Sequence, residues 1–191
     1  MIAQYGIHRV AFFYAGIYLL AVVVARLADV PNIITLHDLT PPEILLRLGA
    51  GVAAGGMLAA AWLAAARFSP TARRVDALLV GVVGPIGGSD ALILALLSGL
   101  AEEVLFRGAI QPAAGLGTAS VLFTLAHLPP HRDLWPWTIS AGVMGLGFGL
   151  ATLATQDVLF AVATHTTINA INLRRLGLLA LEHEGHTHPG G

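Results

Sequence analysis

Two adjacent carboxylates and an arginine stand between long apolar runs, in residues 101–108, which read AEEVLFRG. A charged side chain at the centre of a membrane helix costs roughly 2.5 to 3.5 kcal/mol to insert, so these three must be offset by pairing, water or function. On a helix, Glu103 and Arg107 are neighbours on one face, with the acid nearer the amino terminus, which favours an ion pair. Glu102 is rotated by about 100° from Glu103 and can face another neighbour.

Glu102 is the carboxylate left free for chemistry. In a low-dielectric cavity, desolvation disfavours the charged form of a carboxylate and makes it a stronger base than it is in water. Glu102 is therefore a candidate general base that takes a proton from water. The alternative is a buried salt-bridge cluster that fixes helix packing without doing chemistry.

Two histidines lie in later apolar segments. His127 stands near the end of an apolar run, just before a proline break, where an imidazole either serves a site or caps the helix end. His165 lies within an apolar run and has Asn169 one turn later, so both polar groups can point to one place. Such a pair can bind a developing oxyanion, or it can form a hydrogen bond between helices.

Helices inside a membrane must position these residues. Hydrophobic residues make up 56% of the chain and charged residues only 11%, and the mean hydropathy is +0.77. Several uncharged runs approach the roughly 20 residues that span a bilayer. They cover residues 10–25, 48–66, 108–126 and 134–156, with shorter or interrupted runs at 77–89, 91–101 and 158–173. We predict an all-α polytopic transmembrane bundle of about six or seven helices, with the active site in a membrane-embedded cavity.

The organisation along the chain indicates a single membrane-embedded domain over residues 1–191. Proline and charge clusters predict loops at 31–42, 68–74 and 129–136. Residues 75–99 hold either one span or a short span with a break at Pro85, Gly87 and Gly88. Small residues four apart, at 51 and 55 and at 141, 145 and 149, predict close helix packing. The polar tail from about residue 177, with its three histidines, is expected to be disordered and dispensable.

Charge and composition narrow the partners and the location. The net charge is -1 and no basic run exceeds two residues, so no nucleic-acid partner is expected. The chain lacks cysteine, which excludes thiol catalysis, and all ten basic residues are arginine, which favours a bacterial inner membrane. The loop at 29–43 carries three acids and no base, whereas Arg67, Arg73 and Arg74 cluster in the next loop. The positive-inside rule then predicts a cytoplasmic amino terminus.

Taken together, the motifs resemble those of the CAAX-processing and bacteriocin-processing family of intramembrane proteases, which includes the type II CAAX prenyl endopeptidase. That family carries two glutamates followed after three residues by arginine, then phenylalanine with histidine four residues on, then histidine with asparagine four residues on. The matching residues here are Glu102, Glu103, Arg107, Phe123, His127, His165 and Asn169. The resemblance covers about residues 91–173.

The resemblance implies an endopeptidase that cleaves a peptide bond of a membrane-anchored protein or peptide without a covalent intermediate. In that mechanism Glu102, helped by His127, activates a water. His165 and Asn169 stabilise the oxyanion. Glu103 and Arg107 hold the base in position. The substrate would carry a CAAX-like or carboxy-terminal sorting signal, the latter being typical of small members.

Two alternatives stay open. Members of the similar family are often labelled metalloproteases, and Glu102, His127 and His165 could form a zinc set with an open position for water. Because no H-E-x-x-H pair is present and the family is generally viewed as glutamate-based, we favour a mechanism without a metal or other cofactor. A non-proteolytic multipass transporter or scaffold is the other class, although the chain lacks the two-half symmetry common in transporters.

Overall fold

The computed structural model describes residues 2–34, 39–129 and 131–187, without the side chains of 2–5 and 184–187. These residues contain no strand, which confirms the all-α prediction. The elements are α1 (Ile2–Leu27), α2 (Pro41–Phe68), α3 (Pro70–Val83), α4 (Gly88–Glu103), a π-helical segment (Val104–Ile110), α5 (Gln111–Ala126), a 3-10 turn (Arg132–Leu134), α6 (Trp135–Thr155) and α7 (Leu159–Thr187). Since α4, the π-helical segment and α5 follow one another without a loop, the described residues form six rods.

Three of these rods are long and apolar enough to cross a membrane: Gly6–Leu27, Pro41–Phe68 and Arg132–Thr155. A fourth span results if α3 and the rod Gly88–Ala126, which meet at a bend of 100°, are counted as one broken crossing. Large apolar side chains are exposed along the outer faces of these helices, as expected where lipid replaces water. They include Phe12, Leu19, Leu46, Val52, Ile139 and Val143.

Residues 75–99 are not one span. They hold the end of the short helix α3, then a break, then the start of α4, as one of the two predicted alternatives had it. Helix α3 ends at Gly84, whose φ of 69° lies in the left-handed region that glycine adopts most easily. The predicted loop at 68–74, in contrast, is wrong, because only Ser69 separates α2 from α3. Its hydroxyl accepts a hydrogen bond from the N–H of Ala72, and Pro70 then starts the helix.

The predicted packing of small residues on α2 is confirmed. A Cβ added to Gly51 would lie 2.7 Å from the carbonyl oxygen of Phe160, and one added to Gly55 would lie 2.7 Å from that of Thr164. Both carbonyls belong to α7, so only hydrogen in place of a side chain permits this approach. This close packing determines the position of the helix that carries His165.

Helix α7 continues far beyond the apolar run that predicted it. Leu176 and Ala180 are buried, and they pack with Val83 and Ile86 at the turn between α3 and α4. A Cβ on Gly177 would lie 2.8 Å from the carbonyl oxygen of Ile86. The prediction of a disordered tail from about residue 177 is therefore wrong up to the end of α7. Residues 188–191, with the last tail histidine, lie outside the described residues.

Candidate active site

The two glutamates close α4, and Arg107 lies in the π-helical segment Val104–Ile110. At the end of that segment the N–H of Gln111 donates to the carbonyl of Phe106, five residues back. Single π-helical turns are rare and occur frequently at functional sites. The two predicted apolar runs on either side of the acids are therefore one rod, and its widened turn presents the arginine to the site.

Glu103 is fully buried and has two charged or polar partners. Nη1 of Arg107 donates to its Oε1 at 3.3 Å and lies 3.1 Å from Oε2, so the predicted ion pair is confirmed. Nδ1 of His165, on α7, lies 2.7 Å from the same Oε1. Because a buried carboxylate is costly unless it is paired and hydrogen-bonded, both contacts stabilise Glu103 in one orientation.

Arg107 is itself almost fully buried and contacts three elements. Its Nη2 donates to the carbonyl oxygen of Gly145 on α6 at 2.7 Å. The guanidinium carbon lies 4.3 Å from the ring centre of Phe123 on α5, a cation–π contact. A planar guanidinium can make all of these contacts at once, which the single ammonium of a lysine cannot. Arg107 thus connects Glu103 to both α5 and α6.

Glu102 has a different neighbour, as the helical rotation predicts. Its Oε2 lies 3.6 Å from Nε2 of His127 and is buried without a hydrogen bond from any described residue. Nδ1 of His127 lies 2.8 Å from the carbonyl oxygen of Phe123. Because a carbonyl oxygen can only accept, Nδ1 carries a proton, and in the neutral ring the lone pair of Nε2 faces Glu102.

The imidazole of His127 is held on several sides. Its ring stacks on that of Phe123, with centres 4.4 Å apart and an angle of 29° between the planes. The ring of Trp137 lies 5.4 Å from that of His127. Thr138 donates its hydroxyl to the backbone carbonyl of His127 at 2.6 Å. The start of α6 therefore supports this histidine. Capping of the helix end alone does not account for these contacts.

His165 and Asn169 have separate partners within the same helix pair. While His165 contacts Glu103, the Nδ2 group of Asn169 donates to Oγ of Ser98 at 2.9 Å. Ser98 lies on α4, one turn before Glu102. The two side chains thus contact α4 at neighbouring levels, and their role toward an oxyanion stays a prediction.

Several residues of this site carry no signal that the motifs could reveal. Phe148 on α6 stacks against the ring of His165, with centres 5.6 Å apart. Gln111 is buried and donates to the carbonyl of Gly149 at 3.0 Å, just as Arg107 donates to Gly145. Gly145 and Gly149 are four residues apart, as are the two donors, Arg107 and Gln111. The sequence shows the small-residue spacing on α6, but it does not show that these glycines offer carbonyl oxygens to buried donors.

The zinc set given as an alternative is not assembled as a group of three ligands among the described residues. In the part of the chain that the structure describes, no three His, Asp or Glu side chains are grouped as a metal ion would require. Glu102 and His127 are neighbours, but Nδ1 of His165 is directed to Glu103. Since the donor geometry does not fit catalytic zinc, no chemical step below involves a metal.

Comparisons with known proteins match the part of the chain that carries these site residues. Residues 88–171 match the family described as type II CAAX prenyl endopeptidase Rce1-like, which confirms the resemblance over this region. The uncharacterized protein YpbD of Bacillus subtilis (strain 168) is 35% identical over 82 residues, and this match covers 42% of each chain. No solved structure matches the chain. With the apolar spans described above, the chain is an integral membrane protein, and its residues 88–171 are similar to this family.

Proposed function

We propose that this protein is an intramembrane endopeptidase that cleaves a peptide bond of a membrane-anchored protein or peptide by means of water activated by Glu102 and His127. The observation that carries the proposal is the position of Glu102. Its buried Oε2 accepts no hydrogen bond from the described residues and lies 3.6 Å from an imidazole nitrogen. One water can lie within hydrogen-bond distance of both atoms at that separation. The match to a family of CAAX endopeptidases supports the reaction type.

In the first step, this water attacks the carbonyl carbon of the scissile bond while Glu102 takes its proton. The carbon–oxygen bond forms and the carbonyl π electrons move to the oxygen, which becomes an oxyanion. Desolvation strengthens the carboxylate as a base, and His127 orients the water through Nε2. Because Glu103 is occupied by Arg107 and His165, it positions its neighbour and does not compete for the water.

In the second step, the tetrahedral intermediate collapses. Asn169 has a second N–H beyond the one given to Ser98 and can donate it to the oxyanion. His165, whose Nδ1 faces Glu103, can donate through Nε2 when its ring is protonated at both nitrogens. The carbon–nitrogen bond then breaks, and the proton held by Glu102 passes to the departing amine. The products are a carboxylic acid and an amine, which become a carboxylate and an ammonium group when the acid's proton passes to the amine, and the enzyme returns to its starting protonation.

A cleavage assay in proteoliposomes tests this function. Two reporters, a prenylated CAAX peptide and a protein with a transmembrane carboxy-terminal sorting tail, are each incubated with the wild type and with Glu102→Gln. We expect one reporter to be cleaved, and the variant to be slower by on the order of 10² to 10⁴, the usual contribution of a general base. Glu43→Gln, an exposed acid at the start of α2, serves as the control. Cleavage by Glu102→Gln at the wild-type rate contradicts the proposal.

Metal dependence has its own measurement. Purified protein is assayed for bound zinc by elemental analysis, and its cleavage rate is measured with and without a chelator. We expect substoichiometric zinc and a rate that the chelator leaves unchanged. Stoichiometric zinc, with activity lost on chelation and restored by zinc, would assign a metal role to Glu102 and its histidine neighbours.

We also propose that the protein lies in a bacterial inner membrane with its amino terminus in the cytoplasm. The absence of cysteine makes this testable with single introduced thiols. Asn32→Cys, in the loop before α2, and Thr71→Cys, at the opposite end of α2, are both at exposed positions. A membrane-impermeant maleimide applied to intact spheroplasts should label the first variant and not the second. The reverse pattern would invert the topology.

A further inference from the structure

We propose that Ser98 is a positioning residue of this site, which holds the amide of Asn169 with an N–H directed for donation. Ser98 does not belong to the family motifs. The kinetic part of this inference rests on the proposed function, whereas its spectroscopic part does not.

Ser98 lies on α4, one turn before Glu102, and is only 3% exposed. Its hydroxyl oxygen lies 3.2 Å from the backbone carbonyl oxygen of Ala95, to which it donates its only proton. Toward every other partner, this oxygen can therefore act only as an acceptor. It accepts from Nδ2 of Asn169 at 2.9 Å. The contact joins α4 to α7, across 71 positions of sequence.

The direction of this hydrogen bond determines how the carboxamide is oriented. An asparagine side chain can rotate by 180° and exchange its oxygen with its NH₂ group. A serine that can only accept stabilises the orientation with Nδ2 toward α4 and disfavours the one with the oxygen there. Because Nδ2 has two hydrogens, one N–H remains for a substrate oxyanion. Without the serine hydroxyl, the amide loses this restraint.

The spectroscopic test uses the scarcity of asparagine. The sequence contains only Asn32, Asn169 and Asn172, so protein labelled with ¹⁵N-asparagine gives three side-chain NH₂ signals, and Asn169→Asp identifies one of them. We expect Ser98→Ala to shift the Asn169 signal and to accelerate exchange of its protons with solvent. Ser140→Ala is the matched control, because Ser140 makes the same hydrogen bond to a carbonyl three residues back, on α6. An Asn169 signal unchanged by Ser98→Ala overturns the proposal.

Thermal unfolding of each variant, measured in parallel, shows whether it is folded. A variant that fails to fold is replaced by Ser98→Cys, which keeps the volume but offers only a weak acceptor.

The kinetic test separates positioning from a merely structural role. With a reporter that the wild type cleaves, Ser98→Ala should lower kcat by roughly ten- to a hundredfold and leave KM within about twofold. In the Asn169→Ala background, the same change should have no further effect, because the serine acts through the amide. Full additivity of the two changes contradicts the proposal. If the wild type cleaves no reporter, the proposed function fails while the spectra still decide this inference.

Discussion

Phe123 contacts His127 twice, once through its backbone and once through its ring. Its carbonyl oxygen accepts from Nδ1 at 2.8 Å, and the two rings stack with centres 4.4 Å apart. The guanidinium carbon of Arg107 lies 4.3 Å from the centre of the same ring. The four-residue spacing of this motif is therefore explained by the geometry of one helical turn. Its aromatic residue is explained by the cation–π contact with the guanidinium of Arg107.

Phe123→Leu tests the ring while the carbonyl contact is kept. The variant loses the stacking and cation–π contacts, so we expect it to lower the free energy of unfolding by about 1 to 2 kcal/mol and cleavage by roughly tenfold or more. Thermal unfolding and the reporter assay measure the two effects. Phe12→Leu, at a site that is 78% exposed on α1, is the control. Equal behaviour of the two variants would mean that the ring of Phe123 only fills space.

The buried pair of Glu103 and Arg107 is tested by a double-mutant cycle. Arg107→Met leaves the carboxylate with His165 alone, and we expect it to lower the free energy of unfolding by about 3 to 5 kcal/mol. Addition of Glu103→Gln should restore part of this loss, because the uncompensated charge is removed. The control is Arg73→Met, since Arg73 is exposed and also donates to a backbone carbonyl. A double variant less stable than Arg107→Met would contradict the pairing.

The glycines of α6 offer a steric test. A Cβ on Gly145 would lie 2.9 Å from Cδ1 of Phe123 and 3.3 Å from Nη2 of Arg107, whereas one on Gly147 would meet nothing within 4 Å. Gly145→Ala should therefore cost about 1 to 3 kcal/mol and reduce cleavage. Gly147→Ala should be neutral or stabilise the helix by up to about 1 kcal/mol. Similar unfolding temperatures for the two variants would contradict the close approach of α5 and α6.

Truncation distinguishes the packed part of α7 from its end. A stop after Leu176 removes Gly177 and the buried Ala180, which pack at the turn between α3 and α4. We expect a loss of about 1 kcal/mol or more, which corresponds to a fall of about 2 to 4 °C in Tm. A stop after His183 keeps those contacts and should leave Tm unchanged. If both truncated proteins unfold like the full chain, the packing of residues 177–180 contributes nothing to stability.

The sequence predicts the part of the site that depends on short-range geometry. The pairing of Glu103 with Arg107 and the contact between Phe123 and His127 each join residues four apart, and one helical turn suffices to bring them together. The separate direction of Glu102 follows from the same rotation. The Gly51 and Gly55 contact could also be predicted, because close helix packing in lipid requires small residues at this spacing.

The predictions that were wrong concern places where packing outweighs local composition. Prolines and arginines at 68–74 indicated a loop, but one capped residue is enough to start α3. Polar residues from Glu182 onward indicated a disordered tail, but a buried face with Ala180 continues the helix. The π-helical turn has no sequence signal of its own, since its wider winding depends on the helices that surround it.

The sequence alone determined that this is a helical membrane protein with charged residues in apolar segments, because hydropathy and four-residue spacings are local properties of the chain. Only the tertiary structure decided which partner each polar group has. His165 contacts Glu103 across 62 positions and Asn169 contacts Ser98 across 71. Such contacts depend on how α4 and α7 lie against each other, and that arrangement is set by the packing of α2, α4 and α7, which spacing along one helix cannot show.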